Sequence, residues 1–260
     1  LLNHYKRSMK KDFQVIEVNE GNVSETGFFC YMSKKNTEGY RRKLNWLKDR
    51  FNEGLKIKMF KLPDRGFIEY IPGEYAWRPV NAERYLFIHC LWVVGRSKGK
   101  GLATILLNEC IKDAEKERKH GVAMITSEGN WLAGKKLLIK HGFETVDQAP
   151  PSFDLMVKKF GNYPSPSFTK NWDENIKKHG KGLTVFRSDQ CPYIDDAVVT
   201  VADTAKELGI GYKVIDLKSS RDVQNLSPSA YGVFGILYNS SLLSHYYLLK
   251  KELVKRISDL

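Results

Sequence analysis

Apolar positions recur along the chain with two different periods, and the changes between them mark out the elements. FQVIEV at 13–18 alternates as a half-buried strand does, while Tyr40, Leu44, Leu47 and Phe51 are spaced by three or four and predict a helix over 40–51. LKIKMFKL at 55–62, GFIEYI at 66–71 and YLFIHCLWVV at 85–94 predict three strands, separated by the turn formers Pro63-Asp64-Arg65-Gly66 and Ile71-Pro72-Gly73. From Leu102 onward, Leu102, Ile105, Leu106 and Cys110 share one face of a helix that runs into KERKHG and stops at His120-Gly121. GVAMITSE at 121–128 reads as a buried strand, LAGKKLLIKHGF at 132–143 as a helix ending in Gly142, and FETVDQ and SFDLMVKKF as two closing strands. This order predicts an α/β protein with a mixed sheet, not a repeating doubly wound one.

The pattern breaks between Gly161 and Gly182, where GNYPSPSFTKNWDENIKKHGKG carries two prolines close together and no apolar period. Beyond it, LTVFRSD, IDDAVVTVADTAKELG, GYKVIDL, SRDVQNL, YGVFGILYN, LLSHYYL and KKELVKRISDL read as βαβαββα. The expected division is therefore a first domain at 1–160, a linker at 161–182 and a second, smaller domain at 183–260.

Composition narrows the classes of function. At 260 residues, 42% hydrophobic and 28% charged, the chain has the make-up of an ordinary globular protein. No apolar run reaches the ~18–20 residues of a membrane span, and LLNHYKRSMKKDF lacks the apolar centre of a secretory signal, so a cytoplasmic location is expected. A net charge of +12 would suit nucleic acid, a membrane surface or an anionic small molecule. Its blocks (KRSMKK, RRK, KDAEKERK, KKHGK) read as solvated helix faces and termini, so neither membrane nor nucleic acid is the expected partner. Cys30, Cys90, Cys110 and Cys191 form neither a CxxC pair nor a cluster with histidine, which predicts reduced thiols and no metal site.

The chemistry concentrates in VGRSKGKGLA at 94–103, between the strand 85–94 and the helix from Leu102. A glycine-rich turn at a helix N-terminus gathers backbone N–H groups around an anion, and the helix dipole adds about half a positive charge there. Arg96, Lys98 and Lys100 add mobile charge, and glycine at 99 and 101 lets the backbone approach a phosphate oxygen. A P-loop does not fit, because four residues after Gly95 come Lys100 and then Gly101. A dinucleotide fingerprint fits poorly too, since the run beginning at Gly99 ends in Thr104 where Gly or Ala is required.

Arg96-Ser97-Lys98-Gly99-Lys100-Gly101, with Leu102-Ala103 opening the helix, resembles the Q/R-x-x-G-x-G/A acetyl-coenzyme A signature of the GNAT N-acetyltransferases. The strand before the turn, the helix after it, the strand at 121–128 and the helix ending Lys140-His141-Gly142-Phe143 follow that family's order over roughly residues 12–160. The resemblance implies the acyl-CoA N-acyltransferase fold, with the pyrophosphate of acetyl-CoA on the turn and the pantetheine arm beside Cys90-Leu91-Trp92-Val93-Val94. Asn130 and Trp131 would lie near that arm. It implies direct attack of an amine, from a small molecule or a peptide, on the thioester, with a backbone N–H among Leu91 to Val93 as oxyanion donor. His89, Glu69 and Glu83 are the candidate proton acceptors. Leu138 stands where many of these enzymes carry a tyrosine as general acid. Trp77, Trp92 and Tyr85 read as core aromatics, with a substrate cleft as the other reading.

In the second domain, Gln190-Cys191-Pro192-Tyr193-Ile194 falls between a strand and a helix, where thioredoxin-like domains carry a CxxC. Ile194 replaces the second cysteine, so dithiol exchange within the motif is excluded and monothiol chemistry or a retained binding fold is expected. A helix N-terminus favours a thiolate at Cys191, and Asp195 and Asp196 oppose it. The βαβαββα order resembles a truncated thioredoxin fold, and its combination with an upstream GNAT domain resembles bacterial YoaP-like proteins. The reading from another class is an acyl-CoA-binding, thiol-redox sensor with little turnover.

Overall fold

A computed structural model describes residues 13–128 and 132–260. The first part of the chain runs β1 (Val15–Val18), α1 (Val23–Thr26), α2 (Glu38–Phe51), β2 (Lys56–Phe60), β3 (Gly66–Pro72), β4 (Val80–Asn81), β5 (Tyr85–Val93), α3 (Leu102–Lys116), β6 (Gly121–Ser127), α4 (Lys135–Lys140), β7 (Glu144–Ala149) and β8 (Phe153–Lys159). Seven of these strands form one sheet in the order β1-β2-β3-β5-β6-β8-β7. Every neighbouring pair is antiparallel except β5 with β6, so the sheet is mixed.

The helix periods explain the two faces. Leu106, Leu107, Cys110 and Ala114 of α3 pack with Ile68, Tyr70, Ile88 and Met124 on one face, while Tyr40, Trp46 and Leu47 of α2 pack with Ile57, Phe67, Ile71 and Phe87 on the other. Each such fully buried aliphatic or aromatic side chain stabilises the fold by roughly 1.5–3 kcal/mol relative to exposure. Lys58 on β2 reaches across to α3 and meets Asp113 at 3.1 Å and Glu109 at 3.2 Å.

The remaining elements are β9 (Ser167–Phe168), α5 (Trp172–Lys177), β10 (Leu183–Arg187), α6 (Tyr193–Leu208), β11 (Tyr212–Asp216), α7 (Ser220–Leu226), β12 (Phe234–Tyr238), β13 (Ser241–Ser244) and α8 (Lys250–Ser258). They build a second sheet in the order β11-β10-β12-β13, with β10 parallel to β11 and β12 antiparallel to both β10 and β13. The run at 161–182, expected as a linker, is fastened to its surroundings. β9 pairs with β4, Phe168 and Trp172 are buried, and Asn175 Nδ2 donates to the carbonyls of Asn225 and Ser227 at 2.8 and 3.2 Å.

One apolar cluster runs from the α2 face of the first sheet into the second unit, from Leu47 and Phe87 through Ile194, Val201 and Phe234. Two glycines permit this close seating. A Cβ on Gly39 of α2 would lie 2.2 Å from the Pro192 carbonyl oxygen, and one on Gly232, whose φ is +87°, would lie 2.7 Å from Pro79. Polar contacts add to it: the Tyr31 hydroxyl donates to Asp196, and Arg42 meets Asp189 at 3.4 Å and Asp195 at 3.6 Å. Among the described residues no helix is long and apolar enough to cross a membrane.

Candidate active site

β5 pairs with β6 only from Tyr85 to Ile88, whose partner is Met124; beyond it β6 continues to Ser127 beside β8 while β5 stays with β3 up to Val93. The two central strands therefore part after Ile88 and leave an opening that ends at the turn 94–101. The Val94 N–H donates to the Arg65 carbonyl on the β3 side at 3.1 Å. Because successive amides of a strand alternate in direction, the N–H groups of Leu91 and Val93 face the opening.

At the turn, Gly95, Gly99 and Gly101 all have positive φ, at 58°, 75° and 76°. A Cβ at any of them would meet nothing within 4 Å, so the glycines are required by backbone conformation, and their outer side is free for a ligand. Gly101 caps α3 without any side-chain hydrogen bond, which leaves first-turn N–H groups for an incoming anion. Arg96, Lys98 and Lys100 are exposed around them, whereas Ser97 is buried and accepts the Arg65 N–H at 2.9 Å, pinning the turn to the β2–β3 connection. Leu102 is core and Ala103 half-buried; Asn130 and Trp131 lie outside the described residues.

A β-bulge sits beside the opening. Glu69 pairs with Cys90 and Tyr70 with Ile88, so His89 is the extra residue on β5. The bulge resets the alternation: Cys90 joins His89 on the α2 face, and Leu91 packs on the α3 face. Glu69 gathers three donors there. Lys43 Nζ lies 2.6 Å from its Oε2, and Gln190 Nε2 and His89 Nδ1 lie 2.9 and 3.3 Å from its Oε1. Burial acts to raise the Glu69 carboxyl, but the Lys43 ammonium and the His89 bond outweigh it and hold it at about 2.

The Trp77 N–H donates to His89 Nε2 at 3.0 Å, which assigns the imidazole proton to Nδ1 facing Glu69. Burial lowers the His89 pKa to about 4, so it is neutral. Both its nitrogens are engaged and it is 1% exposed, which makes it a strut for Glu69 and not a free base. Glu83 lies exposed in the turn before β5, five positions before Ile88, where β5 and β6 part, and so roughly 16 Å from the start of the opening and about twice that from its far end at Val93. Of the three acid-base candidates, His89 on β5 and Glu69, paired with Cys90 from β3, both sit at the bulge where the opening begins, and of these two Glu69 carries the charge. Trp77 and Tyr85 are core, the latter donating to the Pro164 carbonyl at 2.8 Å, while Trp92 is 38% exposed. Leu138 is buried and aliphatic.

The second unit contributes directly to this centre. Gln190, 2% exposed, accepts from the buried Arg78 guanidinium at 3.5 Å through Oε1 while its Nε2 binds Glu69. Arg78 also donates to the carbonyls of Trp77 and His89 at 2.7 and 3.2 Å and lies over the Tyr231 ring. Cys30, Cys90 and Cys191 line one enclosed cavity of about 20 Å³ with Lys43, Glu69, Gln190, Phe29 and Phe67. Of the opposing influences on Cys191, neither the helix N-terminus nor the nearby aspartates decides: burial raises its pKa, more than the N–H of Tyr193 lowers it. Burial also pushes Cys90 up to about 12.

Lys43, Arg78 and the thiol of Cys30 carry no site assignment in the sequence reading, and Cys90, expected beside the pantetheine arm, instead faces the Glu69 cavity. A signal existed for Lys43, three residues after Tyr40 and four before Leu47, which places a charge on the apolar stripe of α2. Arg78 and the bulge left no such mark.

The acetyltransferase (GNAT) family model matches residues 28–143. Over 251 residues the chain is 31% identical to the uncharacterized N-acetyltransferase YoaP of Bacillus subtilis (strain 168), spanning 94% of this chain and 98% of that relative. The chain belongs to the GNAT acetyltransferase family. Among solved structures it is similar to ribosomal-protein-alanine N-acetyltransferase from Brucella melitensis, at 18% identity over 56% of this chain and 99% of that one, with a TM-score of 0.43. It is also similar to PaiA N-acetyltransferase from Thermoplasma acidophilum in complex with coenzyme A, at 16% identity over 57% of this chain and 99% of that one, with a TM-score of 0.41.

Proposed function

We propose that the chain takes an acetyl group from acetyl-CoA and passes it to an amine by direct attack. The observation that carries this reading is the parting of β5 from β6 after Ile88, which opens directly onto the positive-φ glycine turn. The turn amides, the start of α3 and Arg96, Lys98 and Lys100 would hold the pyrophosphate, and the free edge Leu91–Val93 the pantetheine arm. The outward amides of Leu91 and Val93 supply hydrogen-bond donors where the oxyanion develops. In the step itself a C–N bond forms and the C–S bond breaks. The amine loses one proton to solvent, and the sulfur leaves as a thiolate; with a thiol pKa of about 8.5 it departs without a general acid, since the buried, aliphatic Leu138 has no proton to give.

Glu69 is the group we assign to the acceptor. Held at about 2, it stays ionised and orients an amine N–H rather than keeping its proton. The carboxamide of Gln190 now occupies Oε1, so an acceptor reaches Glu69 by displacing the segment Gln190-Cys191-Pro192. The unit 183–260 would then be a cover on the acceptor side. Its parallel β10/β11 pair and antiparallel β12 and β13 support a thioredoxin-like reading of it.

The test is release of free thiol from acetyl-CoA in the presence of small amines, peptide N-termini and lysine peptides. Amine-dependent release is expected with at least one class; none above the hydrolysis background with all three would overturn the enzyme reading. A second reading, an acyl-CoA-binding thiol sensor with little turnover, is favoured by the three thiols around the cavity and predicts that null result together with tight acetyl-CoA binding.

A further inference from the structure

The four cysteines are far apart in sequence, yet three of them meet. Cys30 comes from the irregular stretch between α1 and α2, Cys90 from β5 and Cys191 from the turn that opens α6, and all three face the same cavity between the two units. Cys191 also borders two further small cavities, one lined by Tyr193, Tyr231 and Tyr246 and one by Arg42 and Asp189, and the residue as a whole is half-buried. We propose that Cys191 and Cys30 are a dithiol that closes to a disulfide between the acetyltransferase sheet and the appended unit. This goes beyond acetyl transfer and does not depend on it.

Backbone freedom selects Cys30 over Cys90 as the partner. Cys90 sits in the nine-residue strand β5, is paired with Glu69 and receives the Gln190 amide at 3.8 Å. A disulfide needs Cα atoms about 4.4–6.8 Å apart, and a strand held on its β3 edge has little room to adjust. Cys30 lies outside helix and strand. Its neighbour Tyr31 ties that stretch to α6, through its hydroxyl on Asp196 and its ring edge-on to Tyr193 at 4.5 Å. The link would join two segments that already touch.

The oxidant is a hydroperoxide. Cys191 gives up its proton and as thiolate attacks one oxygen of hydrogen peroxide; the O–O bond breaks, the sulfenic acid forms, and the hydroxide released takes up that proton as one water. The Cys30 thiol then attacks the sulfenic sulfur, the S–O bond breaks as the S–S bond forms, and its proton leaves with the hydroxyl as a second water. Burial raises both thiols, so the resting pair is protonated and slow to react, which suits a site that responds to sustained oxidation. The disulfide would also fix Gln190, one residue away, against Glu69.

The experiment treats the full chain with hydrogen peroxide under native conditions, alkylates residual thiols and maps the digest by mass spectrometry. A peptide pair joining Cys30 to Cys191, cleaved by dithiothreitol, is expected as the main product. It should persist in Cys90→Ser and vanish in Cys30→Ser. Wild-type mapping decides alone: Cys191 ending as sulfinic acid, all thiols staying alkylatable, or a link through Cys90 would each overturn the proposal.

Discussion

The carboxamide of Gln190 donates to Glu69 Oε1 at 2.9 Å across 121 positions of sequence, joining the loop before α6 to the bulge of the first sheet. An amide N–H thus occupies the carboxylate lone pair that the proposed mechanism reserves for an acceptor amine. Gln190→Ala should leave acetyl-CoA binding unchanged and raise the rate of thiol release with small amines. It should cost stability of about 1–3 kcal/mol, because the buried Arg78 and Glu69 each lose a partner. Unchanged or lower turnover in steady-state kinetics would show that Gln190 does not guard the site.

Glu69→Gln tests the other half of the pair. It removes the charge that neutralises the buried Lys43 ammonium, so the loss should be large, about 3–5 kcal/mol as for breaking a buried ion pair. Replacing Lys43 with Met in the same chain removes the orphaned ammonium and should restore much of the stability without restoring turnover. Recovery of both on urea unfolding and thiol release would make Glu69 purely structural.

Gly39→Ala places a methyl 2.2 Å from the Pro192 carbonyl oxygen, a backbone atom with no flexible end to give way. The second unit must then shift off α2, at a cost of about 1–3 kcal/mol or more from overpacking. Urea unfolding should register that loss, and alkylation of Cys191 should accelerate as its cavity opens. An unchanged alkylation rate would contradict the described seating.

Stability should fall on acidification. Burial lowers His89 and His245 to about 4 from an ordinary 6.5, so between those values the unfolded chain takes up protons that the folded one refuses. Unfolding is therefore favoured as pH falls, by about 1.4 kcal/mol per pH unit for each histidine. Glu69, lowered to about 2 from 4.5, extends the same trend, its contribution being lost as pH falls through that window. Urea midpoints at about pH 7 and pH 5 should differ in this direction; a midpoint that rises on acidification would contradict it.

Much of the scaffold was legible because period and punctuation agree. The run 85–94, the turn VGRSKGKGLA and the helix from Leu102 fall where the apolar spacing puts them, and the βαβαββα order of 183–260 is the observed one. The acid-base centre was only partly legible. The sequence offers Glu69 as a candidate acid-base group, but its setting depends on a bulge at His89, and a bulge leaves no mark in an alternating pattern. Glu83 looked equivalent on paper, since sequence proximity to β5 does not say which end of the strand carries the site. The 161–182 segment reads as a linker because its anchors, Phe168, Trp172 and Asn175, are too sparse to show a period. Cys191 looked like an isolated thiol because its neighbours come from residues 30 and 90, which only the packing of the two units brings near.

Binding of acetyl-CoA at the turn 94–101 is measured by a thermal-shift titration, with Lys98→Ala/Lys100→Ala as comparison. Both lysines are exposed, so each should contribute about 1 kcal/mol to phosphate binding, roughly fivefold in Kd. Acetyl-CoA and CoA should raise the melting temperature of the wild-type chain with a logarithmic dependence on ligand concentration, NAD and ATP much less, and the double variant should need more ligand for the same shift. No shift at millimolar acetyl-CoA, or equal shifts with all four ligands, would contradict the assignment.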